Sequence, residues 1–304
     1  MNNLLLNLLQ RFPELLHATP SFGVKIAPMK FKEPSVLSCD LLGKDAVIRD
    51  DDGCLHADPC ASDIMLRTKA LSYKFIGRAK KRVIEPHFYA AGLWTTGHWH
   101  LLVDVIPMVI GHAANLPIVV SSRFGDKEEQ IMRFFGIKNT IVKIDQTTHF
   151  DRLKVVPLGV MPFEKRVEAL QSNVGAFHGA LPSARKIYIS RADASRRRIV
   201  NEHDLTAMLS RKGFKEVVLG TLPLRQQLAI INKAETIVMP HGAAGANLFA
   251  ARKGTTVIEI LPSIGWGAST LMMCQACGLG YQFFPAINWG MDIRVDVNEL
   301  ELVV

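Results

Sequence analysis

The residues best suited to chemistry fall into two groups, one in each half of the chain. In the second half, Ile237-Val-Met-Pro-His241-Gly-Ala-Ala-Gly-Ala-Asn247 ends an apolar run in small residues, and a helical pattern restarts over residues 243 to 251. Such a junction aims the first-turn N–H groups and the positive end of a helix dipole at whatever lies above the strand. His241, Gly242, Ala243 and Asn247 therefore frame an anion site. A diphosphate suits it, although small residues at such a turn also serve close packing alone. Arg191, Arg197 and Arg198, with Asn201 following, add cations. Arginine's planar fork makes two charge-assisted hydrogen bonds and stays charged at any working pH. Glu259 interrupts the apolar run Thr256-Val-Ile-Glu-Ile-Leu261. A carboxylate there needs a partner, either ribose hydroxyls or a structural cation.

In the first half, a His98-Trp-His100 cluster precedes Asp104. His100 and Asp104 stand one helical turn apart, so both can face one side and handle a proton. Asp104 can be the base or can orient His100; a carboxylate has fewer tautomeric constraints, which favours Asp104. A metal held by His98, His100 and Asp104 fits less well, because positions 98 and 100 diverge on a helix.

Periodicity supplies the elements that must position these groups. Residues 20–72 show only turn signals and short apolar runs. Lys80 to Leu93 reads as strand, and a helix begins near Gly97. Strand Pro117–Ser121, helix Lys127–Phe135, strand Thr140–Ile144 and strand Leu153–Pro157 follow, then a linker over residues 162–182 with Gly175, Gly179 and Pro182. The second half alternates more clearly: strand Lys186–Ser190, a helix capped by Asn201 and ended by Gly213, strand Glu216–Leu219 and helix Leu224–Ala234. Strand Thr236–Met239, the helix from Ala243, strand Thr256–Leu261, helix Ser269–Cys277 and strand Tyr281–Phe284 complete it. This is βαβ grammar and predicts an α/β protein of two Rossmann-like lobes, residues 1–165 and 166–304. Ligands are expected beyond the carboxyl ends of the strands, in a cleft between the lobes.

Composition narrows the partners. At 304 residues, 48% hydrophobic and 21% charged, the chain reads as soluble and globular, and its net charge of +8 favours anionic ligands. Its basic residues are scattered, without a long basic run interleaved with aromatics, which argues against nucleic acid. The five cysteines are an odd number and argue against a disulfide framework, so a reducing, cytoplasmic setting is expected. Cys274 and Cys277 have CxxC spacing but no second pair, which points to packing rather than a metal. Asp50-Asp-Asp-Gly53 lacks the remaining spacing of a calcium loop. Arg11, Pro13 and Glu14 break the leucine-rich start, so it reads neither as a signal peptide nor as a spanning helix. Residues 3–16 could still dock on the protein itself, on a partner or oligomer, or peripherally on the inner face of a membrane.

Taken together, these pieces resemble glycosyltransferase family 61, which includes capsular and exopolysaccharide enzymes and O-linked sugar transferases. The resemblance covers residues 88–285. It rests on His100-Leu-Leu-Val-Asp104-Val-Ile-Pro107, on Ile189-Ser-Arg191 followed by Arg197-Arg-Ile-Val-Asn201-Glu, and on Gln226-Gln-Leu with Ala234-Glu-Thr-Ile-Val. His241-Gly-Ala-Ala-Gly-Ala-Asn247 and Val257-Ile-Glu259-Ile complete it. Met108 departs from the arginine usual there. The resemblance implies a GT-B fold and inverting transfer from a nucleotide-sugar donor to a glycan or lipid-linked acceptor in bacterial polysaccharide (capsule) biosynthesis, with no metal or other cofactor. Asp104 and His100 would be catalytic. Arg191, Arg197, Arg198, Asn201, His241, Gly242, Ala243, Asn247 and Glu259 would hold the donor. Two other classes compete. A dinucleotide oxidoreductase would require GxGxxG after a strand, and none is present. A non-catalytic subunit could keep the fold and bind a glycan or partner.

Overall fold

The computed structural model describes residues 26–27, 33–42, 47–51, 53, 55–56, 76–77, 79, 81–91, 96–174, 184–263 and 267–304. Residues 3–16 lie outside these, as do Gly175, Gly179 and Pro182. The chain divides into two compact units, Met1–Ala169 and Leu170–Val304.

Among the described residues the first unit holds nine strands: β1 (Ile26–Ala27), β2 (Ser35–Leu42), β3 (Val47–Asp50), β4 (Leu55–His56), β5 (Lys81–Val83), β6 (His87–Tyr89), β7 (Ile118–Ser121), β8 (Ile141–Ile144) and β9 (Thr148–Val155). They form one sheet in the order β1-β4-β3-β2-β9-β6-β7-β8, with β5 also on β9. Strands β9, β6, β7 and β8 run parallel to one another, as do β5 on β9 and β1 on β4; β2 pairs antiparallel with both β3 and β9, and β3 with β4. The expected Rossmann-like first lobe is thus half a mixed sheet, because β2, β3 and β4 form an antiparallel meander. Pro86, which has no N–H to give a ladder, splits the strand expected over Lys80–Leu93 into β5 and β6. Phe150, Leu153 and Val155 of β9 pack with Val119, Tyr89 and Cys39 in the core.

Helix α1 (Ile106–His112) continues directly from a π-helical turn, His100–Val105, and α2 (Asp126–Phe134) follows β7. The expected linker over 162–182 is corrected by α3 (Phe163–Asn173), whose Val167 and Leu170 are buried. The turn residues after 174 hid this 3.6-residue period, Phe163, Val167 and Leu170.

The second unit follows the sequence reading closely. It runs β10 (Lys186–Ile189), α4 (Glu202–Arg211), β11 (Lys215–Val217), α5 (Leu224–Lys233), β12 (Thr236–Pro240), a 3₁₀ helix (Ala243–Ala250) and β13 (Thr256–Pro262). After these come α6 (Ser269–Cys277), β14 (Gly280–Trp289), β15 (Asp292–Arg294) and α7 (Val297–Glu301). The sheet order is β11-β10-β12-β13-β14-β15, parallel from β11 through β14, with β15 turned back antiparallel. Strands β10, β12 and β13 are apolar on both faces because helices cover both, and Glu259 is the exception. The chain starts in mid-sheet at β10, steps out to β11, then returns on the other side as β12. The order therefore reverses between β10 and β12, which makes a crevice at their carboxyl ends.

Candidate active site

In the first unit, the helix carrying His100 and Asp104 is widened to i→i+5 bonding: the Ile106 N–H reaches back to the Leu101 carbonyl. Pro107 explains this, since it cannot donate and its ring crowds the carbonyl four residues earlier. π-turns of this kind concentrate at functional sites. His100 Nδ1 lies 2.7 Å from Asp104 Oδ2, and Arg166 Nη1 of α3 donates to Asp104 Oδ1 at 2.5 Å. Asp104 is 7% exposed, whereas a third of the His100 side chain is open. A carboxylate that accepts at both oxygens puts the proton of His100 on Nδ1 and the basic lone pair on Nε2. The sequence preference for Asp104 as base therefore meets a carboxylate whose oxygens are both taken. Arg166 was invisible to sequence reasoning because it sat in the presumed linker; the period of α3 was the available signal. Among the described residues, no group of three or more His, Cys, Asp or Glu side chains is placed to hold a metal ion.

In the second unit, the loops leaving β10 and β12 meet at the reversal of strand order. A Cβ on Gly242 would lie 1.8 Å from Arg191 Nη1, so the guanidinium rests directly on the bare glycine backbone. Gly242 thus makes room for Arg191 rather than for a ligand alone. Arg191 Nη2 donates to the Arg196 carbonyl at 3.2 Å, and its buried Nε has no hydrogen-bond partner among the described residues. Burial lowers the Arg191 pKa. Burial together with the neighbouring cations Arg191 and Arg196 pushes Arg197 down to about 10. Arg197 also holds a left-handed φ of 59°, a conformation costing about 1 kcal/mol for a non-glycine residue. Two partly buried guanidiniums, one of them further disfavoured by its cationic neighbours, are an environment an anion would relieve. The turn that follows is a 3₁₀ helix and not the expected α-helix, but its N-terminus still begins at Ala243.

Other members of the sequence-derived set hold the structure. Arg198 donates to Asp292 from both its backbone N–H and Nη2, each at 3.0 Å, and its side chain is exposed. Asn201 stands at the N-cap of α4 as expected, but its side chain makes no capping hydrogen bond. Its amide binds the backbone of Val295 twice, Nδ2 to the carbonyl at 2.9 Å and Oδ1 from the N–H at 3.1 Å. Asn247 is fully buried and donates to Gln227 Oε1 at 2.8 Å, bracing the 3₁₀ helix on α5. Glu259, 1% exposed, takes its partners from the protein: His241 Nδ1 at 2.7 Å, Thr270 Oγ1 at 2.5 Å and Tyr281 Oη at 2.7 Å. The partner that a buried carboxylate needs is thus supplied within the protein by three donors. Glu259 in turn fixes the ring of His241 beside Gly242. Cys274 is buried and Cys277 half-buried, and burial pushes their thiols up to about 12 and about 11, as expected of packing thiols.

The chain belongs to glycosyltransferase family 61, whose family model matches residues 98–258, more than half of the chain. The matched stretch contains His100, Asp104, Arg166, Arg191, Arg197 and the turn at 241–247, and stops one residue before Glu259. Among solved structures, the iron-containing dodecameric glycosyltransferase TibC of enterotoxigenic E. coli is similar at 11% identity, with a TM-score of 0.32. The alignment covers 61% of this chain and 59% of that one, less than two thirds of the length of TibC. No curated protein matches the chain.

Proposed function

We propose that the chain is an inverting, metal-independent glycosyltransferase of GT-B type. It moves a sugar from a nucleotide-sugar donor to a hydroxyl of a glycan or lipid-linked acceptor in bacterial polysaccharide biosynthesis, in a cytoplasmic setting. The observation that carries this reading is Arg191 lying on Gly242 at the reversal of strand order, with Arg197 beside it and a helix N-terminus following. The donor diphosphate takes its charge-assisted contacts from these arginines and from the N–H groups at Ala243.

His100 Nε2 removes the acceptor proton as the acceptor oxygen bonds to the anomeric carbon. The bond from that carbon to the diphosphate breaks on the opposite face. The resulting imidazolium is stabilised through Nδ1–H by Asp104, which Arg166 holds in place. The negative charge appearing on the leaving nucleoside diphosphate falls to Arg191, Arg197 and the helix end, the task a metal ion performs elsewhere.

A panel of nucleotide sugars, incubated with candidate glycan acceptors in EDTA, tests the proposal through release of free nucleoside diphosphate. Turnover with at least one donor, unchanged by chelation, is expected. Turnover lost in EDTA and restored by Mn²⁺ contradicts the metal-free route. Nucleotide binding without turnover on any donor supports the non-catalytic subunit instead.

A further inference from the structure

Four of the exposed large apolar side chains fall within nine residues: Phe283 (64% exposed), Ile287 (64%), Trp289 (59%) and Met291 (63%). Side chains alternate along a strand, so Phe283, Ile287 and Trp289 share one face of β14, while Phe284 and Ala286 on the other face are buried in the core. Strand β14 runs past the last pairing of β13, Pro262 with Ala286, and reverses at Gly290-Met291 into β15. Gly290 takes φ +64°, as such a two-residue turn demands, which puts Trp289 and Met291 at the hairpin tip. The far edge of β15 is covered as well: Arg197 N–H donates to the Met291 carbonyl, Ile293 N–H to Arg198, and Val200 N–H to Ile293. With β15 paired on both of its edges, that half of the tip can leave water at little cost in hydrogen bonding.

We propose that this hairpin face docks on the surface of an anionic phospholipid bilayer. Charge favours that occupant. Beyond the arginines given to the donor site, stretches 191–200 and 283–294 expose Arg196 and Arg294 against one aspartate, Asp193, while Asp292 is paired with Arg198. Arg294 lies opposite Ile287 in register and stacks on Trp289, 5.9 Å from the ring centroid. Tryptophan and arginine side by side suit the headgroup region, where the ring enters the apolar boundary and the guanidinium meets phosphate. A second copy of the chain fits worse, because a two-fold contact through this face would bring its arginines against themselves. Among the described residues no helix is long and apolar enough to cross a membrane, so the contact is peripheral.

Sedimentation of the full chain with vesicles of phosphatidylglycerol and phosphatidylcholine tests this, and lipid binding is a readout independent of donor chemistry. The wild-type chain is expected to co-sediment, more weakly with phosphatidylcholine alone. Trp289→Ser with Met291→Ser should lower partitioning about tenfold or more, at unchanged melting temperature and nucleoside diphosphate affinity. Ile287→Ser with Arg294→Gln should do the same from a different pair of positions. Four results would overturn the proposal: no binding by the wild-type chain, full binding by both variants, binding abolished by removing residues 1–16 instead, or a dimer in light scattering that Trp289→Ser dissolves.

Discussion

Replacing His100 by Ala is expected to lower turnover by roughly 10² to 10⁴ while leaving donor affinity within about twofold of wild type. Proton transfer matters only in the transition state, so removing the base spares ground-state binding. Asp104→Asn is expected to cost less. Asparagine keeps the shape but loses the charge that stabilises imidazolium and fixes the tautomer, and a base without its orienter retains part of its activity. Arg166→Ala follows Asp104→Asn in kind, since it frees the carboxylate that positions His100. Calorimetric donor affinity, turnover and melting temperature on the three variants separate the roles. A larger loss in Asp104→Asn than in His100→Ala returns the base to Asp104. Activity losses that merely track falling stability would make the triad a brace for the helix.

The second large effect belongs to the phosphate site. A charge-assisted contact is worth about 1.5 to 3 kcal/mol, so Arg191→Ala is expected to weaken nucleoside diphosphate binding roughly 10- to 150-fold. Gly242→Ala should approach the same loss without touching any charge, because its Cβ would stand 1.8 Å from Arg191 Nη1 and displace the guanidinium. Arg198→Ala should change affinity by less than about threefold, since its exposed guanidinium is committed to Asp292. Titration calorimetry on the three folded variants decides. Unchanged affinity in Arg191→Ala, or a larger loss in Arg198→Ala, would move the site away from the β10/β12 crevice.

The contrast between Arg191 and Arg198 shows where sequence reasoning reaches and where it stops. Strand-to-helix alternation after residue 184 was plain, because buried strands such as Thr256–Pro262 and amphipathic helices such as Leu224–Lys233 differ in period and are separated by turn residues. The rim on which ligands gather follows from that alternation alone. Which arginine faces the rim does not, for Arg198 is turned aside by Asp292, nearly a hundred residues later, across a hairpin. Glu259 illustrates the same limit. Its need for a partner was legible from its apolar neighbours, but Thr270 and Tyr281 become partners only through packing. Arg166 was lost for a local reason, namely glycines and a proline that suggested a linker beyond the true end of a helix. The first sheet was least legible because β1, β3, β4, β5 and β6 are each two to four residues long, too short to display alternation.

The stereochemistry of transfer tests the central claim most directly, since one displacement assisted by a single base has only one outcome at the anomeric carbon. Proton NMR can follow the first sugar product released or transferred from an anomerically pure donor, before mutarotation, with the wild-type chain in EDTA. The anomeric coupling should report the configuration opposite to the donor's, with no signal from the retained anomer at early times, and His100→Ala should form the same anomer only at its residual rate. A first-formed product that retains the donor's configuration would contradict direct displacement and, with it, the role given to His100.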